Sequence, residues 1–137
     1  MIKLFDVANS DFPNYVRYFA IKDGENVKVD CKWIFHANDE PYRDLNWAEN
    51  KFAYGFKVST KNKETILEVS SIKTIPITLR VDGEKVIPLI RVEGRVVRIE
   101  KAFVQTKKGL FGLPGVEYVE VNAVDDSNQD QISFRIR

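Results

Sequence analysis

Ile77-Thr78-Leu79-Arg80-Val81-Asp82-Gly83-Glu84-Lys85-Val86-Ile87-Pro88-Leu89-Ile90-Arg91-Val92-Glu93-Gly94-Arg95-Val96-Val97-Arg98-Ile99 carries two turn dipeptides, Asp82-Gly83 and Glu93-Gly94, inside an alternating apolar pattern. Asp-Gly between alternating hydrophobics is a type I′ hairpin signal. With Asp82-Gly83 as the loop, Val81 faces Glu84, Leu79 faces Val86 and Ile77 faces Pro88. With Glu93-Gly94 as the next loop, Val92 faces Arg95, Ile90 faces Val97 and Pro88 faces Ile99. Two independent turns therefore set Ile77, Leu79, Val86, Pro88, Ile90, Val97 and Ile99 on one face, which predicts a three-stranded meander over residues 74–104. Pro88 has no N–H to give to a ladder, so an irregularity is expected in the middle strand.

The same period of two extends outward. Val27, Val29, Cys31, Trp33 and Phe35 alternate with Lys28, Asp30, Lys32 and Ile34, the pattern of a half-buried strand. Phe52 to Val58 and Ile132 to Arg137 read the same way, and the latter pairs with Val116 to Val124 across the polar loop 125–130. The first 24 residues read as a strand, or an N-terminal arm over residues 1–12, followed by a strand around Val16 to Ile21. Helix is confined to one short connector, Asp44 to Asn50, with Asp44 as N-cap. Short strands with frequent turns predict an all-β fold, a two-sheet antiparallel β-sandwich, with a barrel as the alternative.

With 137 residues and 44% apolar content, the chain has the size and core of one domain, residues 1–137. Apolar runs are far shorter than the roughly 20 residues that cross a bilayer as a helix. The N-terminus lacks a basic stretch followed by an apolar run, so a cytoplasmic protein is expected, or one assembled into a particle made there. A net charge of +1 names no partner. The single cysteine, Cys31, lies among alternating apolar residues and reads as core.

Catalytic signals are sparse. The one histidine, His36, is followed by Asp39 and Glu40, which could join it at a metal or as an acid–base pair, but a strand-end His entering a polar turn is more often solvated. No nucleotide-binding, nucleophile-elbow or paired Cys-x-x-Cys motif is present. The expectation is a non-enzymatic protein without catalytic residues, metal or cofactor.

Three features point to partners. Residues 107–115, Lys107-Lys108-Gly109-Leu110-Phe111-Gly112-Leu113-Pro114-Gly115, combine helix- and strand-breaking residues with Leu110, Phe111 and Leu113. Burying each of those side chains is worth roughly 1.5–3 kcal/mol, either inside the fold or as an anchor in a partner. Residues 91–108 carry Arg91, Arg95, Arg98, Lys101, Lys107 and Lys108 against Glu93 and Glu100, while residues 116–130 carry five acids and no base. Such segregation suits contact between copies, unless the two sets neutralise one another across neighbouring strands. Twelve of the sixteen aromatics lie in the first 56 residues, with lysines interleaved, although alternation assigns most of those rings to the core.

The leading reading is an assembly or protein-interaction β-domain, a homo-oligomer or part of a larger assembly. By architectural analogy alone a viral or phage structural component fits. Its partner-binding residues are Leu110, Phe111, Leu113, Arg95, Arg98, Lys107 and Lys108. The alternative is an OB-like protein binding single-stranded nucleic acid, with Tyr42, Trp47 and Tyr54 stacking on bases and Lys51, Lys57, Lys61 and Lys63 on phosphates.

Overall fold

The computed structural model describes residues 1–10, 12–24, 26–44, 54–72, 75–108 and 114–136. Nearly all of these are β-strand and none is α-helix. The strands are β1 (Ile2–Asn9), β2 (Phe12–Asp23), β3 (Asn26–Phe35), β4 (Glu40–Asp44), β5 (Phe56–Lys61) and β6 (Glu64–Val69). A 3-10 turn, Ser70–Ile72, precedes β7 (Ile77–Asp82), β8 (Lys85–Val92), β9 (Arg95–Lys108), β10 (Pro114–Asp125) and β11 (Gln131–Ile136). Asp44 ends β4, and the rest of the expected connector helix, residues 45–50, lies outside the described residues.

The meander forms, with one change of register. Val92 pairs with Arg95 and Ile90 with Val97, as the Glu93-Gly94 turn requires, and both turn residues have positive φ, 50° and 80°. The other hairpin turns on Gly83-Glu84, so Val81 faces Val86 and Leu79 faces Pro88. Only Gly83 has positive φ there, 61°, the pattern of a type II′ turn, which needs Gly at its first central position. The slip moves each partner by an even number of positions, so the faces are preserved. Ile77, Leu79, Val86, Pro88, Ile90, Val97 and Ile99 are all buried.

Hydrogen bonding joins all eleven strands in one mixed sheet that does not close into a barrel. Its order is β4-β3-β2-β1-β9-β8-β7-β6-β5, with β10 on β9 and β11 on β10. The branching follows from β9. One edge of β9 is taken by β10 along Val97 to Lys108. The opposite edge is shared, Arg95 to Arg98 by β8 and Lys101 to Val104 by β1, the latter pair parallel. The β8 ladder ends at Leu89, next to Pro88, whose missing N–H cannot extend it. The expected irregularity is thus an interrupted ladder, and the vacated edge receives β1.

Two wings, β1 to β4 and β5 to β8, leave the same edge of β9 and supply one apolar core. Within the expected arm, residues 2–9 are no free segment: β1 lies between β2 and β9, and Phe5 and Val7 are fully buried. Tyr18 of β2 ties the wings together. Its ring stacks on Phe5 at 5.0 Å and meets Phe56 edge-on at 6.0 Å, and its hydroxyl donates to the Tyr54 carbonyl at 2.7 Å. Cys31 is buried core, and burial pushes its thiol up to about 12.

Candidate functional site

The meander's positions between its core residues build a groove. The register sets Thr78 beside Leu89 and Arg91 beside Val96. Together with Arg80 they line an open space of about 910 Å3 that also takes Lys63 and Lys22. Lys63 stands in the two-residue β5–β6 turn with Asn62, both at positive φ, as type I′ geometry demands. Lys22, at the end of β2, donates to the Gly83 carbonyl at 2.6 Å and so fastens one wing to the tip of the other. Four cations line the groove against one carboxylate, Glu64. Exposed Val81 and Val96, at 41% and 44%, add apolar wall.

A smaller hollow of about 620 Å3 shares Arg80 and Val96 with the groove and continues to Arg95, Asp125 and Asp126. Both Nε, at 3.0 Å, and Nη2 of Arg95 donate to Asp125 Oδ2. The Ser127 N–H and hydroxyl donate to Asp125 Oδ1 at 2.9 and 2.6 Å. These bonds, Ser127's first, stabilise the carboxylate and hold Asp125 down at about 2. Arg80 pairs with Asp126 at 2.9 Å, and Arg135 with Glu120 at 3.4 Å. Of the acids set apart in the sequence, Asp125 is thus paired with Arg95 of the basic segment, because the end of β10 lies beside the start of β9, while Asp126 and Glu120 pair with arginines outside that segment.

The other end of β9 has a different character. The pairs Thr106–Val116, Lys107–Gly115 and Lys108–Pro114 extend past Val104, where β1 stops, and past Val119, where β11 stops. Ser10 reaches that far, its hydroxyl accepting from the Thr106 N–H at 3.0 Å. The hairpin thus continues as a two-stranded ribbon on which Val116 is 55% exposed. Residues 109–113, which join its strands, lie outside the described residues.

A third cluster is structural in its bonding. Arg17 is buried and grips Asp6 through Nε at 2.7 Å and Nη2 at 3.2 Å, while Nη2 also donates to Asp39 at 2.7 Å. The Tyr15 hydroxyl donates to the same Asp39 oxygen. This pins the β3–β4 turn to the sheet. His36 Nδ1 lies 2.8 Å from Asn14 Oδ1, and Glu40 is exposed. No group of three or more His, Cys, Asp or Glu side chains suited to a metal occurs among the described residues.

A family model described as Domain of unknown function (DUF4833) matches residues 5–135. The chain belongs to the DUF4833 family. The match runs from β1 into β11, so the family unit contains the groove, the hollow and the ribbon. No curated protein and no solved structure matches the chain.

The residues singled out from sequence are distributed over these places. Arg95 lines the hollow and Lys63 the groove, while Lys107 is exposed on the ribbon. Arg98 lies 3.7 Å from Glu100. Lys57 and Lys61 are exposed on β5 and are not among the lining residues of the groove or the hollow. Tyr54 is buried with its ring edge-on to Trp33 at 5.4 Å. Leu110, Phe111, Leu113, Trp47 and Lys51, and the side chains of Tyr42 and Lys108, lie outside the described residues. Sequence reasoning missed Lys22, Arg80 and Arg91 as site residues. Alternation could have shown Arg80 and Arg91 off the core face, whereas the docking of Lys22 is a contact between distant hairpins. No described helix is long and apolar enough to cross a membrane.

Proposed function

We propose that this chain is a non-enzymatic assembly or protein-interaction domain, one unit of a homo-oligomer or larger complex in the cytoplasm. In this reading the wings act as the two layers of a sandwich and the β9–β10 ribbon reaches out to a partner. The observation that carries it is the ribbon itself, an outlying two-stranded extension with Val116 exposed. A lone two-stranded ribbon is marginally stable in water, and packing against a partner supplies what the sheet does not. The apolar sequence Leu110, Phe111 and Leu113 joins its strands, and burying each of those side chains against a partner is worth roughly 1.5–3 kcal/mol.

Light scattering on the wild type, Val116→Asp and Phe111→Asp tests this. The expected result is a defined wild-type oligomer and folded monomers for both variants. A folded wild-type monomer refutes self-assembly through the ribbon.

A second reading, binding of single-stranded nucleic acid, is favoured by exposed Lys57, Lys61 and Lys63 along the β5–β6 hairpin. It predicts a rise in anisotropy of a labelled oligonucleotide at low salt that disappears as salt is raised. A flat response at micromolar protein removes it.

A further inference from the structure

We propose that the meander groove binds a small soluble organic anion with an aliphatic body, of the class of medium-chain carboxylates. This goes beyond the interaction reading and does not rest on it. The lining separates into two chemistries. Its apolar lining is aliphatic, with Val81, Leu89 and Val96 among it, and no aromatic ring lines it among the described residues, so these walls offer a flat base or indole nothing to stack on. Its cations come from four separate elements, Lys22, Lys63, Arg80 and Arg91, opposed by Glu64 alone.

Those cations are not equally available. Arg80 is engaged with Asp126 and Lys22 with the Gly83 carbonyl. Lys63 and Arg91 have no ion pair with any described residue, and both side chains are exposed. They are the partners for an anionic head group, with Arg91 supplying the fork that matches a carboxylate. Thr65 and Thr78 also line the groove. A volume of about 910 Å3 falls within the range of small-molecule sites, roughly 300–1,000 Å3.

Calorimetric titration with decanoate below its micelle concentration tests the site, with 1-decanol as the uncharged analogue and inorganic phosphate as the head group without a chain. Decanoate is expected to bind one-to-one and to weaken as salt is raised. Arg91→Gln and Lys63→Gln are each expected to weaken it about tenfold, the scale of one charge-assisted hydrogen bond. An unchanged melting temperature certifies that the variants are folded. The proposal is overturned if decanol or phosphate binds as tightly as decanoate. It is equally overturned if the folded double variant binds like the wild type, or if only anionic vesicles and not free decanoate bind.

Discussion

Replacing Tyr18 by Phe removes one oxygen from the place where the two wings meet. The ring contacts with Phe5 and Phe56 are retained, and only the 2.7 Å hydrogen bond to the Tyr54 carbonyl is lost. Both residues are buried, so water does not readily replace the donor. Removing one partner of such a bond costs about 1–3 kcal/mol. With an unfolding entropy of about 2.1 cal/mol/K per residue over 137 residues, that lowers Tm by about 3–10 °C. Calorimetry reads the shift, and amide exchange reads its location, with faster exchange expected in β5 and at Gly55. The hydroxyl also carries a pH signature. Burial, with smaller contributions from Cys31 and Tyr54, raises the Tyr18 phenol well above its usual value. The neutral form is the one that the fold favours, so its contribution is complete below the unfolded value near 10 and declines above it. Tyr18→Phe should therefore lose less stability than the wild type between pH 9 and 11. An unchanged Tm together with unchanged exchange in β5 would mean that the Tyr18–Tyr54 bond does not hold the wings together.

Asp125 makes the opposite prediction at acid pH. Its folded value near 2 lies below the unfolded one, so its contribution is present above about pH 4 and is lost as pH falls towards 2. Asp125→Asn should flatten the acid limb of a Tm-versus-pH curve, and a wild-type slope in the variant would show that other carboxylates set that limb. Cys31, buried and with its thiol near 12, should resist a thiol-specific disulfide reagent at pH 8 until denaturant is added. Rapid labelling of the native protein would place it outside the core.

What is legible in the sequence is what neighbouring residues decide. Alternation is a local property of the strand, and it correctly placed Ile77, Leu79, Val86, Ile90, Val97 and Ile99 in the core. It survived the misplaced Asp82-Gly83 turn because the slip was even in parity. Pro88 likewise announced an irregularity through its own missing N–H, and the structure makes it an interrupted ladder. The branching of the sheet was not legible, because Arg95 to Lys108 alternates alike whether β8, β1 or β10 lies beside it. The pairing of Asp6 with Lys101 joins residues far apart in sequence, and its gain depends on competition among whole strands for one edge.

The sites divide along the same line. Sequence alone determined which residues are charged and that Arg80, Arg91 and Arg98 alternate with core positions. Tertiary structure decided that Asp125 neutralises Arg95, that Lys22 crosses to Gly83, and that Lys63 and Arg91 share one groove. The physical reason is range: side-chain parity is set by the backbone's two-residue repeat, whereas charge neighbourhood is set by how distant hairpins pack.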